Sequence, residues 1–398
     1  MLYPERFSTL PAHAWPRLRA LLDVHEGGGP TIQMTIGEPR HAFPAWITDE
    51  IAAHAEGFNR YPPNDGAPEL KGAIARWIAR RYGVEMDPET EVMALNGTRE
   101  GLYNAVIALC PETKNGATPA ILMPNPFYQV YMIGAISGRA DPVMVNATEE
   151  TGHLPDFHGL PEDVLARTTA AYVCSPANPQ GAVASFDYWA RLIELAERHD
   201  FAIFADECYS ELYRDDPPTG ALEVVEKLGT DRNRVAVLHS LSKRSNLPGL
   251  RSGFVASGAE TIREIKLLRA YAGAPLPLPL QQAAAAVWDD EAHVEENRRL
   301  YREKYAVADR IFAGVPGYDS PAAGFFLWLP VEDDEAAALK LWRETGVKVL
   351  PGGYLAQDVP GQENPGKGYI RVALVAPRDE TERGLELIRD CLYAAERS

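Results

Sequence analysis

The chain has 398 residues, 46 % hydrophobic and 24 % charged, with a formal net charge of -17. That balance suits a soluble globular protein large enough for more than one structural unit, and the acidity, with no dense Lys/Arg cluster, argues against a nucleic-acid surface and leaves small molecules as the expected partners. Four widely spaced cysteines (Cys110, Cys174, Cys208, Cys391) match neither a zinc site nor a disulfide scaffold, and neither a signal-peptide core nor an apolar run of membrane-spanning length occurs, so a cytoplasmic location is expected.

In chain order, PELKGAIARWIARRYG (68–83) carries apolar residues at helical spacing between a proline start and a glycine stop. EVMALNG (91–97) predicts a short buried strand, TREGLYNAVIALC (98–110) a helix, and AILMPNP (120–126), PVMVN (142–146) and AAYVCSP (170–176) three more strands. SFDYWARLIELAERHDF (185–201) reads as a helix, followed by strands at FAIFADE (201–207), RVAVLHS (234–240) and SGFVASG (252–258). This alternation implies an α/β fold with a largely parallel sheet covered by helices. After about residue 285 the pattern changes to a long charged helix (293–312), a strand at GFFLWLPV (324–331), a helix, and a strand at GYIRVALV (368–375), which predicts a smaller α+β unit. No Gly/Ser/Pro-rich linker separates the two parts, so they are expected to pack closely.

Ligands of an open α/β sheet bind beyond the carboxyl ends of its strands. NGTRE, PNPFY, SPANPQG, DECY and SLSK each follow an apolar run, so five loops are expected to converge on one crevice. Lys243 lies in the last of them. A lysine that forms a Schiff base with an aldehyde has to be partly desolvated to shed its proton near neutral pH, whereas a lysine taken alone is more often an ordinary surface residue. Around it, Ser240, Ser242 and Arg251 offer two hydroxyls and a guanidinium for a phosphate, and Gly249 and Gly253 allow a tight turn and close packing. A phosphate beside a reactive lysine points to a phosphorylated aldehyde.

Asn96-Gly97-Thr98 follows a strand and opens a helix whose N-terminal N–H groups favour an anion, or else serve as a turn and cap. Asp206 ends an apolar strand, where a carboxylate needs a cationic or N–H partner; a pyridinium nitrogen is one such partner, and capping a turn is the other reading. Tyr209 and the Asn178 amide are placed to bond a 3-oxygen on such a ring, although Asn178-Pro179 is also a plain turn signal. Tyr128, after a proline-stiffened loop, suits stacking on a flat ring; the alternative is a place in the core, a role that Phe127 or Tyr131 can fill instead. Arg371, inside an apolar strand, is costly to bury without a carboxylate partner, which is either a substrate's or that of a structural ion pair.

Taken together, these residues resemble the pyridoxal-phosphate enzymes of fold type I, specifically the class I/II aminotransferases, from IGEP near residue 36 to GYIRVAL near residue 370. The resemblance implies a large cofactor-binding α/β domain (46–285) with a mainly parallel seven-stranded sheet flanked by helices. It also implies a smaller C-terminal α+β domain (286–398), joined by an N-terminal segment (1–45). It implies pyridoxal 5'-phosphate as cofactor, with Lys243 as the residue that holds it covalently and shuttles the proton between substrate Cα and C4′. Asp206 takes the place of the pyridine-nitrogen partner, Asn178 and Tyr209 those of the 3-oxygen ligands, and Tyr128 that of the stacking aromatic. Gly97, Thr98, Arg99, Ser240 and Arg251 fall where the family binds the phosphate. Tyr61, in RYPPNDGAPELK, matches a tyrosine that reaches the phosphate across a dimer interface, which implies a homodimer with composite sites. Arg371 takes the position of the α-carboxylate ligand, aided by the backbone of Gly37 in TIGEPR. The family's Asn-Pro-Thr-Gly becomes Asn178-Pro179-Gln180-Gly181 here, which keeps the asparagine and alters the loop.

NGTRE, PNPFYQVY, YVCSPANP, ADECYSELY, SLSKRSNLPGLRSGFVA and DDEAHVEENRRLYREKY are similar to the N-succinyldiaminopimelate aminotransferases of the lysine and cell-wall pathway. The implied reaction moves the amino group of L-glutamate to N-succinyl-2-amino-6-oxopimelate. RAYAGAPLPLPLQQ lacks the histidine of the Tyr-His-Gly stretch expected there. A substrate with distal carboxylates wants a second cation, for which Arg40 and Arg99 are the candidates. The alternatives are another class I/II aminotransferase (aspartate, alanine or aromatic) or a β-lyase on the same scaffold. The joint presence of Lys243, Asp206 and Arg371 argues against a non-catalytic ligand sensor.

Overall fold

The computed structural model describes residues 1, 3–8 and 10–394. Seven strands form the main sheet: β1 (Val92–Leu95), β2 (Ala120–Asn125), β3 (Asp141–Asn146), β4 (Thr168–Cys174), β5 (Ala202–Asp206), β6 (Val235–Ser240) and β7 (Gly253–Ala256). Their spatial order is β1-β7-β6-β5-β4-β2-β3. Strands β2 to β6 run parallel, and β7 is antiparallel to both β1 and β6. The reversal follows from the length of the β6–β7 connection. Its helix spans only Leu241–Arg244, too short to carry the chain back along the strand as a parallel crossover requires, so Ser240 and Gly253 end up opposite each other.

The inner parallel strands β2, β4, β5 and β6 are buried on both faces, which is why they read as continuous apolar runs rather than alternating ones, whereas the edge strand β3 is only half-buried. One face packs around Trp77, Trp189 and Trp288, the other around Leu102, Tyr131, Tyr172 and Phe204. A helix at Gln129–Ser137 has no counterpart in the sequence reading. Its residues, QVYMIGAIS, are apolar nearly all round and lack the amphipathic period that marks a helix in sequence. Because β7 alone is reversed, β1 runs in the same direction as the parallel strands, and its carboxyl end meets Gly253 on the same sheet edge as the carboxyl ends of β2, β4, β5 and β6. The loops following these strands therefore share one edge.

A second, antiparallel sheet has the order β9-β10-β8, from β8 (Phe326–Pro330), β9 (Leu350–Pro351) and β10 (Tyr369–Ala373). Its core takes in Met34 and, from the loop after β5, Tyr209 and Leu212. Ile32–Gln33 pairs in parallel with Val347–Lys348, and the N–H of Ala373 donates to the Met34 carbonyl at 2.8 Å. The helix Ala14–Leu22 sets Leu18 and Leu22 against Leu350 and Tyr354. The chain before residue 35 is thus stitched to the second sheet. Among the described residues no helix is long and apolar enough to cross a membrane.

Candidate active site

The five loops meet at a cavity of about 280 Å³ lined by residues from each of them, among them Thr98, Tyr128, Asn178, Tyr209 and Lys243. Lys243 stands in the helix that opens directly after β6, where Ser240 caps the turn by accepting from the Ser242 N–H at 3.0 Å. The Lys243 ammonium is withdrawn from water, and that burial lowers its pKa to about 8. It donates to the Gly37 carbonyl and lies 5.3 Å from the centre of the Phe325 ring. Among the described residues no carboxylate bonds it.

Asp206, at the end of β5, is 5 % exposed. Its partners are neutral donors: the Tyr131 hydroxyl at 2.7 Å and the Cys208 N–H at 3.3 Å. Burial raises its pKa, and these donors oppose the rise. Tyr131 is itself fixed by stacking on Tyr172 with ring centres 4.4 Å apart. Sequence reading offered Tyr131 only as a core aromatic. It is both core and the residue that orients Asp206, and only the three-residue step from Tyr128 along the helix hinted at it.

At the other end of the cavity, Gly97 takes φ +82 just before the helix Thr98–Leu109. A Cβ there would lie 2.8 Å from Cζ of Arg251, so only glycine lets the guanidinium approach the helix N-terminus. Arg251, at φ 58, donates to the Pro248 carbonyl at 2.8 Å and the Asn96 carbonyl at 3.4 Å. The hydroxyls of Ser240 and Ser242 bond each other at 2.8 Å, and Thr98 lies 3.1 Å from the Cys208 sulfur. The result is a set of hydroxyls, one guanidinium and a helix N-terminus suited to a phosphate. Tyr128 lines the same cavity, and its hydroxyl accepts from Arg99 Nε at 2.9 Å.

Arg371 projects from β10, 5 % exposed, and donates to Asn178 Oδ1 at 3.0 Å and to the Thr35 carbonyl at 2.7 Å. Its Nε has no partner among the described residues, and the guanidinium packs 4.2 Å from the centre of the Phe326 ring. Burial lowers its pKa to about 10. A buried guanidinium without a carboxylate is poised for an anion from outside. Tyr209 lines the cavity and is buried against Phe325 and Phe326.

Two candidates stand elsewhere. Arg40 is paired through both guanidinium nitrogens with Glu380, at 2.8 and 3.3 Å, and does not line the cavity. Tyr61 is fully exposed, with Phe58, Leu267 and Tyr271 also exposed nearby in sequence or across the Asn64–Ala270 hydrogen bond. Gln180 is 8 % exposed, in a loop that Gly181 turns at φ +74 against Pro321 and Ala323. The 270–276 stretch that lacks the histidine is tied at Ala274 to Asn96, beside Gly97.

Residues 30–388 match the family model for aminotransferase class I and II. An LL-diaminopimelate aminotransferase from Dehalococcoides mccartyi is 30% identical over 97% of this chain and 97% of its own length. Among solved structures, an aminotransferase from Neisseria meningitidis superposes with a TM-score of 0.93 at 39% identity, covering 97% of this chain and 99% of that one. A probable N-succinyldiaminopimelate aminotransferase from Thermus thermophilus does so with a TM-score of 0.82 at 26% identity, over 95% and 98%.

Proposed function

This chain belongs to the aminotransferases of class I and II, a pyridoxal-phosphate-dependent family, and on that premise we propose that it transfers the amino group of L-glutamate to N-succinyl-2-amino-6-oxopimelate, in the cytoplasm, in the formation of diaminopimelate and lysine. The residues suit the cofactor. Arg251, Ser240, Ser242, Thr98 and the N–H groups after Gly97 are assigned to its phosphate, Asp206 to its ring nitrogen, Asn178 and Tyr209 to its 3-oxygen, Tyr128 to its face and Lys243 to its aldehyde carbon. When bound, the protonated ring supplies an electron sink for the charge that develops at the substrate's Cα. Asp206 keeps that ring nitrogen protonated, and its neutral partners leave its own charge unquenched. Lys243, with its pKa lowered to about 8, is about one tenth free amine at pH 7, far more than an exposed lysine, and takes the proton from Cα.

The observation that carries the reading is Arg371. Its two bonds to neutral oxygens and its free Nε leave room for an α-carboxylate, and Gly37 lies beside Lys243 to help hold it. Arg99, on the cavity wall and among the described residues engaged only through its Nε by Tyr128, is assigned to the distal carboxylates; Arg40, held by Glu380, is not free for that role. The exposed Tyr61, Phe58, Leu267 and Tyr271 support a homodimer in which Tyr61 reaches the partner's phosphate site. A second reading, the same transfer on the unacylated diaminopimelate skeleton, is favoured by the name of the Dehalococcoides relative.

The test is the visible absorption of the cofactor-loaded protein. L-Glutamate should bleach the band, and N-succinyl-2-amino-6-oxopimelate should restore it. Restoration by the unacylated keto acid alone selects the second reading, and a band indifferent to glutamate refutes both.

A further inference from the structure

The segment from Thr35 to His41 touches the site at two points, with the Thr35 carbonyl on Arg371 and the Gly37 carbonyl on Lys243. A third anchor lies at its far end. Lys304, 2 % exposed in the helix Ala292–Ile311, donates to Nε2 of His41 at 2.6 Å and to the Leu374 carbonyl at 3.0 Å, and has no carboxylate partner among the described residues. An amine that donates to Nε2 leaves the proton of a neutral imidazole on Nδ1. Nδ1 therefore donates to Asn297 Oδ1 at 2.9 Å. The Asn297 amide donates in turn to the carbonyls of Lys243 and Arg244 at 3.3 and 3.2 Å. A packing route runs beside this chain: His41 lies 4.6 Å from the Tyr301 ring, Tyr301 stacks on Phe325, and Phe325 lies beneath the Lys243 ammonium.

We propose that His41 is a positioning residue: clamped between Lys304 and Asn297, its neutral imidazole fixes the Thr35–His41 segment against Lys243 and Arg371 and thereby sets the affinity of the site for amino-acid substrates. The part concerning substrate rests on the roles assigned above to Arg371 and Gly37. The segment reaches back from His41 to Gly37 over four residues, a span of at most about 14 Å, so freedom at the clamp is transmitted to the Gly37 carbonyl. Protonating His41 removes the acceptor that Lys304 uses and sets two cations face to face. Burial, then Lys304, hold its pKa below 6.5, and burial holds that of Lys304 at about 7. The other charged groups facing the pair are Glu296 on the same helix as Lys304, and Arg40 with its partner Glu380. The clamp consequently holds through neutral pH and loosens on acidification, at a pH below the ordinary imidazole range because burial and Lys304 both oppose the protonation of His41.

The test uses the full-length protein with His41→Leu, His41→Gln and Lys304→Met. In the cofactor-free protein, peptide hydrogen exchange over residues 34–42 should quicken about tenfold in His41→Leu and return toward the wild-type rate in His41→Gln, whose amide can both accept and donate. In the loaded protein, His41→Leu should raise KM for glutamate about tenfold and change kcat less than about threefold, the pattern of lost uniform binding. The acid limb of the wild-type glutamate affinity should be lost in Lys304→Met, which has neither the bond for protonation to break nor the second cation; a purely structural role would leave the limb in place. Unchanged exchange in His41→Leu, or faster exchange with unchanged KM, overturns the proposal. If wild-type protein ignores glutamate, the function assigned above fails, while the exchange measurement still decides the clamp.

Discussion

Replacing Gly97 with alanine perturbs the end of the site assigned above to the phosphate through two separable effects. The residue sits at φ +82, ψ 156, a region essentially restricted to glycine, so the backbone strain costs on the order of 1–3 kcal/mol of stability. The new Cβ would also stand 2.8 Å from Cζ and 3.2 Å from Nη1 of Arg251, and closer still to Nη2. The guanidinium must retreat, and the loss of one charge-assisted hydrogen bond to a phosphate is worth about 1.5–3 kcal/mol, or roughly 10- to 150-fold in affinity. Gly116 supplies the control, because it has φ +75 with nothing within 4 Å of where an alanine methyl would stand, so Gly116→Ala incurs strain alone. The assay is titration of cofactor-free protein with pyridoxal phosphate, followed by absorbance, alongside thermal melts of both variants. Both should melt lower, and only Gly97→Ala should bind the cofactor at least about tenfold more weakly. Cofactor affinity within about twofold of wild type in a folded Gly97→Ala protein would refute the placement of Arg251 on the phosphate.

Capture of the cofactor by the cofactor-free protein needs the free amine of Lys243, so its rate should rise with pH through a midpoint near 8, as read by stopped-flow absorbance; a midpoint near 10.5 would show that burial does not depress this group. Lys243→Ala should abolish turnover and leave the fold, as judged by circular dichroism. Arg371→Lys loses the fork that bonds Asn178 and Thr35, and glutamate KM should rise by about 2–5 kcal/mol of binding while cofactor affinity is retained. Tyr131→Phe deletes the 2.7 Å bond to Asp206 without changing the stack on Tyr172; the bleaching rate with glutamate should fall about tenfold, and full activity would show that Asp206 needs no such support.

Asp206 and Arg371 stand out in the sequence because each breaks a local rule, a charge at the end of, or inside, a run of buried β residues demanding a partner; Lys243, taken alone, reads as a surface residue and stands out only through Ser240, Ser242 and Arg251 around it. The sheet was legible for the same reason in reverse, since strands covered on both faces read as unbroken apolar runs. The direction of β7 was not, because it depends on a connection too short to cross over. Arg40 illustrates a different limit. Its position after the Gly-Glu-Pro turn says nothing of Glu380, 340 residues away, which occupies it. His41 and Lys304 stand 263 residues apart and Tyr131 is 75 residues from Asp206, so each pairing exists only once the two units have packed.

Buried cations elsewhere in the chain are handled differently. Glu211 is shared by Arg81 and Arg298, Arg244 faces Glu291, Arg269 faces Glu100, and Lys71 faces Asp65 and Glu89. Each of those cations has a carboxylate, the arrangement expected where ionic groups serve only the fold. Asp206, Lys243 and Arg371 are instead bonded by a phenol, amide groups and carbonyls, which orient an ionic group without cancelling its charge. Such groups suit a ligand of opposite charge: Asp206 and Lys243 line the cavity, and Arg371 bonds Asn178 on its wall. Lys304 is a further buried cation bonded only by neutral groups among the described residues, and its partner, His41, leads back to Lys243. On the proposed function, the fold thus separates its buried cations by what neutralises them: Arg244, Arg269, Arg298 and Lys71 are paired with carboxylates, while those assigned to act, or to position what acts, are left to neutral neighbours.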